Sequence, residues 1–113
     1  MARHNLKIRQ VDRAFFDSIR SGQKTIETRA ATDKYRKIRA GDVLVFICGD
    51  QRLEKLVESV GYYRNIDEIV KAIDFKSIAP FVNSVDEMEE VYFSFPSYKE
   101  KIGKFGLVAF RLK

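Results

Sequence analysis

The stretch SGQKTIETR, residues 21–29, decides how this chain is read. Gly22 follows an amphipathic run, and a residue without Cβ takes the left-handed conformation that ends a helix at little cost. From Lys24 to Ala30 the side chains then alternate. Ile26, Thr28 and Ala30 fall on one face and Thr25, Glu27 and Arg29 on the other. Helix, glycine stop and short strand, in that order, put Lys24, Thr25, Glu27 and Arg29 on or beside one rigid element. The crowding of charge has two readings: a solvated edge, or a polar site built on a strand.

Toward the N-terminus, NLKIRQV (5–11) alternates and predicts a first strand. Asp12 is placed to cap a helix in which Phe15, Phe16 and Ile19 form the inner stripe. Toward the C-terminus, ATDKYRKIRAGD is a polar connection that carries five basic residues when Arg29 is counted with it. Gly41-Asp42 signals a turn. VLVFIC (43–48) is a continuous apolar run, the pattern of a central strand buried on both faces. Gly49-Asp50 predicts a hairpin into a strand over Leu53–Tyr63, bulged at Gly61.

A helix beginning at Asn65 or Asp67 turns Ile66, Ile69, Val70 and Ile73 inward, and residues 74–81 form a turn or a single helical turn. Ser84 with Glu87 three residues on is a capping box; the helix it opens faces Val85, Met88, Val91 and Tyr92 inward and Glu89 and Glu90 outward. Phe95-Pro96-Ser97 stops it. Residues 98–104 read as a polar connection with at most one helical turn, and GLVAFRL (106–112) as the last strand. The order predicts a single α+β domain over residues 1–113, a small twisted sheet or partly open barrel with helices covering its ends.

At 113 residues the chain has room for one modest core. With 45% hydrophobic and 33% charged residues it is globular in balance, and nine Phe and five Tyr stand in for the absent Trp. A net charge of +5 favours an anionic partner, most often nucleic acid. No run of five like charges occurs, so any basic face is assembled by folding. Cys48 is the only cysteine, which excludes an intrachain disulfide; inside VLVFIC it reads as a small buried hydrophobe rather than a catalytic thiol. His4 is the only histidine and lies near a terminus expected to be mobile. One Cys and one His make no zinc site, so neither metal nor cofactor is expected. No signal-peptide core follows MARHNLKIRQ, and no apolar run is long enough to cross a bilayer. The expectation is an intracellular, cytoplasmic protein with no membrane partner and no specified oligomeric state.

The helix running into SGQKTIETR, then KIRAGDVLVF, then a long polar-helical insert, then FGLVAFRL, together resemble the ASCH domain family over nearly the whole chain. The resemblance implies a PUA-like fold, a small β-barrel of about five to six strands with flanking short helices. It also implies RNA or a nucleotide-like small ligand, held in a basic cleft beside the strand after the first helix; the domain also occurs attached to transcription coactivators. Some bacterial members remove the acetyl group of N4-acetylcytidine with a Lys, a Thr nucleophile two residues before an Arg, and a Glu farther along. By position the family Lys falls on Lys24, the Arg on Arg29 and the Thr on Glu27. Thr25 lies two residues earlier, and apolar residues around Pro80 to Val82 occupy the segment where the enzymes keep their Glu. A carboxylate does not stand in for an activated hydroxyl in acyl transfer.

The expected site is a cleft lined by Lys24, Thr25, Glu27 and Arg29. Lys24 and Arg29 would form a two-cation phosphate site, while Glu27 orients Arg29 or accepts from a base amino group. Arg36, Lys37 and Arg39 would extend the patch, and Tyr63, with Tyr35 and Tyr62, supplies a ring for stacking. Two alternatives stand beside this. A nucleoside- or RNA-modifying hydrolase, amidohydrolase-like or ribonuclease-like, would use Lys24, Thr25 and Glu27 as its catalytic candidates. A protein-interaction module would show an exposed apolar patch instead of a basic cleft.

Overall fold

The computed structural model describes residues 1–113. Along the chain lie β1 (Arg3–Lys7), a 3-10 turn (Gln10–Asp12), α1 (Arg13–Ser21), β2 (Ile26–Ala30), α2 (Asp33–Arg36), β3 (Val43–Cys48) and β4 (Gln51–Tyr63). They are followed by α3 (Ile66–Ala72), α4 (Phe75–Ile78), α5 (Val85–Ser94), α6 (Tyr98–Phe105) and β5 (Leu107–Leu112). One five-stranded sheet has the order β1-β3-β4-β5-β2. β1 runs parallel to β3, and the other neighbours are antiparallel. No helix is long and apolar enough to cross a membrane.

Local chemistry sets most boundaries. Gly22 ends α1 at φ 86°. Asn65 caps α3 by accepting from the Glu68 N–H at 2.9 Å, and Ser84 caps α5 by accepting from the Glu87 N–H at 3.1 Å. Asp12 does not cap α1; its carboxylate accepts from Arg9 Nε at 2.7 Å instead. The bulge in β4 falls between Val57 and Ser59 rather than at Gly61. At Gly61 a Cβ would stand 3.1 Å from the Tyr63 hydroxyl oxygen. Residues two apart share a strand face, so the glycine makes room for that ring. Residues 98–105 form a full two-turn helix, not a connection: Tyr98, Ile102 and Phe105 make a narrow stripe in an otherwise polar run.

The N-terminal strand is held rather than mobile. Asp42 Oδ1 accepts from the Ala2 N–H at 3.1 Å, and Oδ2 lies 2.9 Å from His4 Nε2 and 3.0 Å from the Arg39 N–H. The Gly41-Asp42 turn thus ties β1 to the sheet. Hydrogen bonds to Ala2, Arg39 and His4 hold the Asp42 carboxyl down at about 2.

Two apolar clusters of equal size form, rather than one core. The division falls along β5: Val108 and Phe110 point into the cluster with Phe16, Leu44 and Phe46, while Leu107 and Ala109 point into the cluster with Ile69, Ile78 and Met88. VLVFIC does pair on both sides, with β1 and β4. Cys48 is buried in the first cluster as a free thiol.

The sheet does not close into the barrel expected. No ladder joins β1 to β2; side chains take the place of one. The Thr28 N–H on β2 donates to Glu27 Oε1 at 3.0 Å and the Ala30 N–H to the Tyr98 hydroxyl at 3.4 Å. Arg29 Nη2 reaches the Lys7 carbonyl on β1 at 3.3 Å. With these donors occupied, the two edges stand apart and leave a gap.

Candidate functional site

That gap is the candidate site. It holds a cavity of about 170 Å³. Lys24, Glu27, Thr28, Met88 and Tyr92, all buried, lie at its inner end, and Lys7, Arg9 and Pro96, all exposed, lie at its rim. Aromatic residues make one wall: Phe95 packs edge-on against Tyr98 with centroids 5.1 Å apart and tilted against Phe15 at 5.9 Å.

Three charges meet inside. Lys24 Nζ lies 3.3 Å from Glu27 Oε1, and Arg29 Nη2 lies 3.1 Å from Glu27 Oε2. The solvated-edge reading of SGQKTIETR is therefore excluded, since the Lys24 and Glu27 side chains are 1% and 7% exposed. Lys24 also donates to the Ile26 carbonyl at 2.7 Å and the Ile78 carbonyl at 2.6 Å, so all three ammonium protons have acceptors inside the protein. Glu27 is equally occupied. Oε1 accepts from Lys24 and the Thr28 N–H, and Oε2 from Arg29 Nε and Nη2. A carboxylate has about four acceptor sites, and here all four are used.

Charge and burial oppose each other at each member. Burial pushes the Lys24 ammonium down in pKa despite the neighbouring carboxylate. Burial raises the Glu27 carboxyl, but Lys24 and Arg29 outweigh it and hold Glu27 below the usual carboxylate range. Burial lowers Arg29, but Glu27, Tyr35 and Tyr98 together more than reverse that, so the guanidinium stays charged. The triad carries two positive charges against one negative. Beside it, the Thr28 and Tyr92 hydroxyls are hydrogen-bonded to each other, and burial drives the Tyr92 phenol pKa up.

A sequence model of the ASCH domain matches residues 6–113. The chain belongs to the ASCH domain family. Its fold also matches solved structures. A crystal structure of the hypothetical protein PH0355 superposes with a TM-score of 0.86 at 25% identity, covering 98% of this chain and 97% of that one. A solution NMR structure of the protein PF0455 from Pyrococcus furiosus gives a TM-score of 0.77 at 28% identity, covering 98% and 96%. No curated protein matches.

In this ASCH domain the residues expected in the cleft separate into two groups. Lys24, Glu27 and Arg29 come together. Thr25 does not: it precedes β2, so the two-residue alternation does not reach it. Its side chain is exposed while its main chain is tied to Ser77 and Leu112. Arg36, Lys37 and Arg39 stay outside the cavity. Arg36 clamps α2 to the end of α6, donating to the Ala31 carbonyl at 2.7 Å and the Phe105 carbonyl at 3.1 Å. Tyr63 folds over Gly61 and lines a separate shallow hollow with Arg36, Tyr62 and Lys104. Ile78 and Ala79 line the cavity from the α4 side, so no carboxylate enters from there.

The sequence reading left out Thr28, Tyr92 and Tyr98, assigned to an apolar strand face, an inner helix stripe and a connection. A signal existed for the first two. A hydroxyl placed among inward apolar residues needs a buried partner, and each supplies the other's. Among the side chains no group of three or more His, Cys, Asp or Glu gathers to hold a metal ion.

Proposed function

We propose that this ASCH domain binds a single heterocyclic base in the cavity between β1 and β2, presented by an unpaired RNA nucleotide or as a free nucleotide. The observation that carries this reading is the size and lining of the gap. A cavity of about 150 Å³ holds one benzene ring, and this one, at about 170 Å³, has an aromatic wall beside buried polar groups. It takes one ring, not a stretch of strand. Sequence-specific RNA readers take up splayed bases in this manner, stacked on aromatic side chains.

The distribution of charge changes the roles first expected. Lys24 has no free donor for a phosphate, so the exposed cations at the rim, Lys7 and Arg9, serve that purpose. Arg9 is partly engaged by Asp12 at 2.7 Å. Acyl transfer is the weaker reading. Thr25 stands outside the cavity, and the Thr28 hydroxyl is paired with a phenol whose raised pKa disqualifies it as a base near neutrality. A protein-interaction module would need exposed apolar side chains such as Val11, Leu56 and Phe93, which lie on the 3-10 turn, β4 and α5, to form one patch.

Titration of labelled single-stranded and hairpin RNA at two salt concentrations tests the reading. Binding is expected to favour unpaired nucleotides, and the double variant Lys7→Ala/Arg9→Ala to reduce both affinity and salt slope. Equal binding of a fully paired duplex, or affinity unchanged in both that variant and Arg29→Ala, overturns it. Incubation with N4-acetylcytidine, followed by chromatography, separates binding from turnover.

A further inference from the structure

We infer that the cavity takes its base by the Watson–Crick edge, with a ligand N–H donated to the Thr28 main-chain carbonyl and the adjacent ligand acceptor held by the Tyr98 hydroxyl; this rests on the base-binding reading and names the edge that is read. β2 pairs with β5 through alternate residues. The Leu112 N–H donates to the Thr25 carbonyl at 2.8 Å and the Ala31 N–H to the Gly106 carbonyl at 2.9 Å. In that register Glu27 and Arg29 turn their main-chain groups to β5, while Thr28 and Ala30 turn theirs to the open edge. Three of the four groups that Thr28 and Ala30 place there have partners inside the protein: Glu27 Oε1 accepts from the Thr28 N–H, the Tyr98 hydroxyl from the Ala30 N–H, and the Ala30 carbonyl from the Thr32 N–H. The Thr28 carbonyl is the fourth and has none.

Thr28 is 7% exposed and lines the cavity, and a main-chain carbonyl at that depth is ordinarily paired. A ring entering the cavity displaces water from it. With no N–H aimed at Thr28 the ring strands the carbonyl; with one it satisfies it. Glu27 does not compete for that proton, because its acceptor sites are filled by Lys24, Thr28 and Arg29. The next group along the edge has the opposite character. The Tyr98 hydroxyl oxygen accepts from the Ala30 N–H at 3.4 Å, and its own proton goes to no protein group. A strand carbonyl and the N–H two residues on face the same side and stand next to each other. The Thr28 carbonyl and the hydroxyl that covers the Ala30 N–H therefore present an acceptor beside a donor. Their complement is a donor beside an acceptor, the pair that every base carries on its Watson–Crick edge. In a duplex that edge is already used, so the same two groups account for the preference expected for unpaired nucleotides.

Two NMR signals of the full chain provide the readout. Met88 is buried against the cavity and is one of only two methionines, so its methyl signal reports occupancy. The carbonyl carbon of Thr28, read through the Arg29 amide, reports hydrogen bonding at the proposed anchor, and that of Glu27, already paired with β5, is the internal reference. The chain is titrated with 2-pyridone, with its isomer pyridine N-oxide, and with each of the four ribonucleosides. 2-Pyridone carries an N–H beside a C=O, whereas pyridine N-oxide has the same atoms and no N–H. 2-Pyridone is expected to bind about tenfold more tightly than pyridine N-oxide and to move the Thr28 carbon but not the Glu27 carbon. In Tyr98→Phe, whose ring is retained, its affinity is expected to fall several-fold. Equal affinity of the two isomers, a Thr28 carbon that stays still while Met88 moves, or unchanged affinity in Tyr98→Phe overturns the edge assignment, and base binding stands if any nucleoside moves Met88. The expected preference for 2-pyridone with no response to any nucleoside supports the edge assignment for a small cyclic amide and overturns the base reading. If no compound moves the Met88 signal, both fall.

Discussion

Lys24 and Glu27, three residues apart, meet at 3.3 Å with almost no water around them, although Lys24 precedes the strand and Glu27 lies within it. The Lys24 N–H to the Ser18 carbonyl (3.0 Å) and the Thr25 N–H to the Ser77 carbonyl (3.0 Å) fix the approach to β2 and aim the ammonium back along it. Glu27 is thereby the keystone of the edge: it neutralises Lys24, holds Arg29 and satisfies the Thr28 N–H.

Glu27→Gln should therefore be the most damaging conservative change in the site. It leaves the buried Lys24 and the partly buried Arg29 without their counter-charge, a loss of about 3–5 kcal/mol. Lys24→Met keeps the Glu27–Arg29 pair and removes a costly desolvated charge, but strands two carbonyls, so a smaller loss of about 1–3 kcal/mol is expected. Denaturant unfolding of both variants checks the order. Lys24→Met less stable than Glu27→Gln would show that the ammonium, not the carboxylate, organises the edge.

Thr28 and Tyr92 satisfy each other's hydroxyl across the cavity. Thr28→Val or Tyr92→Phe alone leaves the partner unpaired and should cost about 1–3 kcal/mol. The double variant replaces both by apolar groups of similar shape and should lose less than the sum. A double-mutant cycle measures the difference; strictly additive losses would mean that the two hydroxyls do not depend on each other.

The Asp42 anchor predicts an acid-sensitive N-terminus. Its folded pKa, about 2, lies below the usual carboxylate value of about 4. The unfolded chain then binds more protons in that interval, so the contribution is complete above about pH 4 and is lost as pH falls toward 2. Asp42→Asn should be less stable than the unaltered chain at neutral pH, and the gap in melting temperature should close between about pH 4 and 2. A gap that persists unchanged at pH 2 would show that the carboxylate's charge is not what ties down β1.

Two glycines should respond differently to alanine. Gly106 sits at φ 74° and ψ −163°, and a Cβ there would lie 2.6 Å from the Tyr63 carbonyl oxygen. That backbone region is nearly exclusive to glycine, and the contact is with main chain, so Gly106→Ala should cost at least about 3 kcal/mol. Gly22, at φ 86° with open space around it, should cost about 1–2 kcal/mol. Thermal melts compare them directly, and equal losses would rule out the Tyr63 contact as the cause.

The local elements were legible because they follow from patterns a few residues long. Gly22 as a helix stop, Asn65 and Ser84 as caps, VLVFIC as an inner strand and Glu89-Glu90 as an outer face all need only neighbouring residues. SGQKTIETR also identified the charged trio itself. α6 was hidden because three apolar residues in eight give little periodic signal. The bulge was misplaced because the reason for Gly61 is the ring of Tyr63, a packing fact rather than a propensity.

The α+β order of elements and the presence of Lys24, Glu27 and Arg29 at one short strand follow from the residues in order along the chain. Only the tertiary structure decided that the edges of β1 and β2 stay apart, that Thr25 faces out while Thr28 and Tyr92 face in, and that Glu27 has no lone pair to offer a ligand. The physical reason is that hydrogen-bond saturation is a property of groups brought together from distant parts of the chain. The Ile78 carbonyl, the Lys7 carbonyl and the Tyr98 hydroxyl complete the site from segments that no local pattern connects to β2.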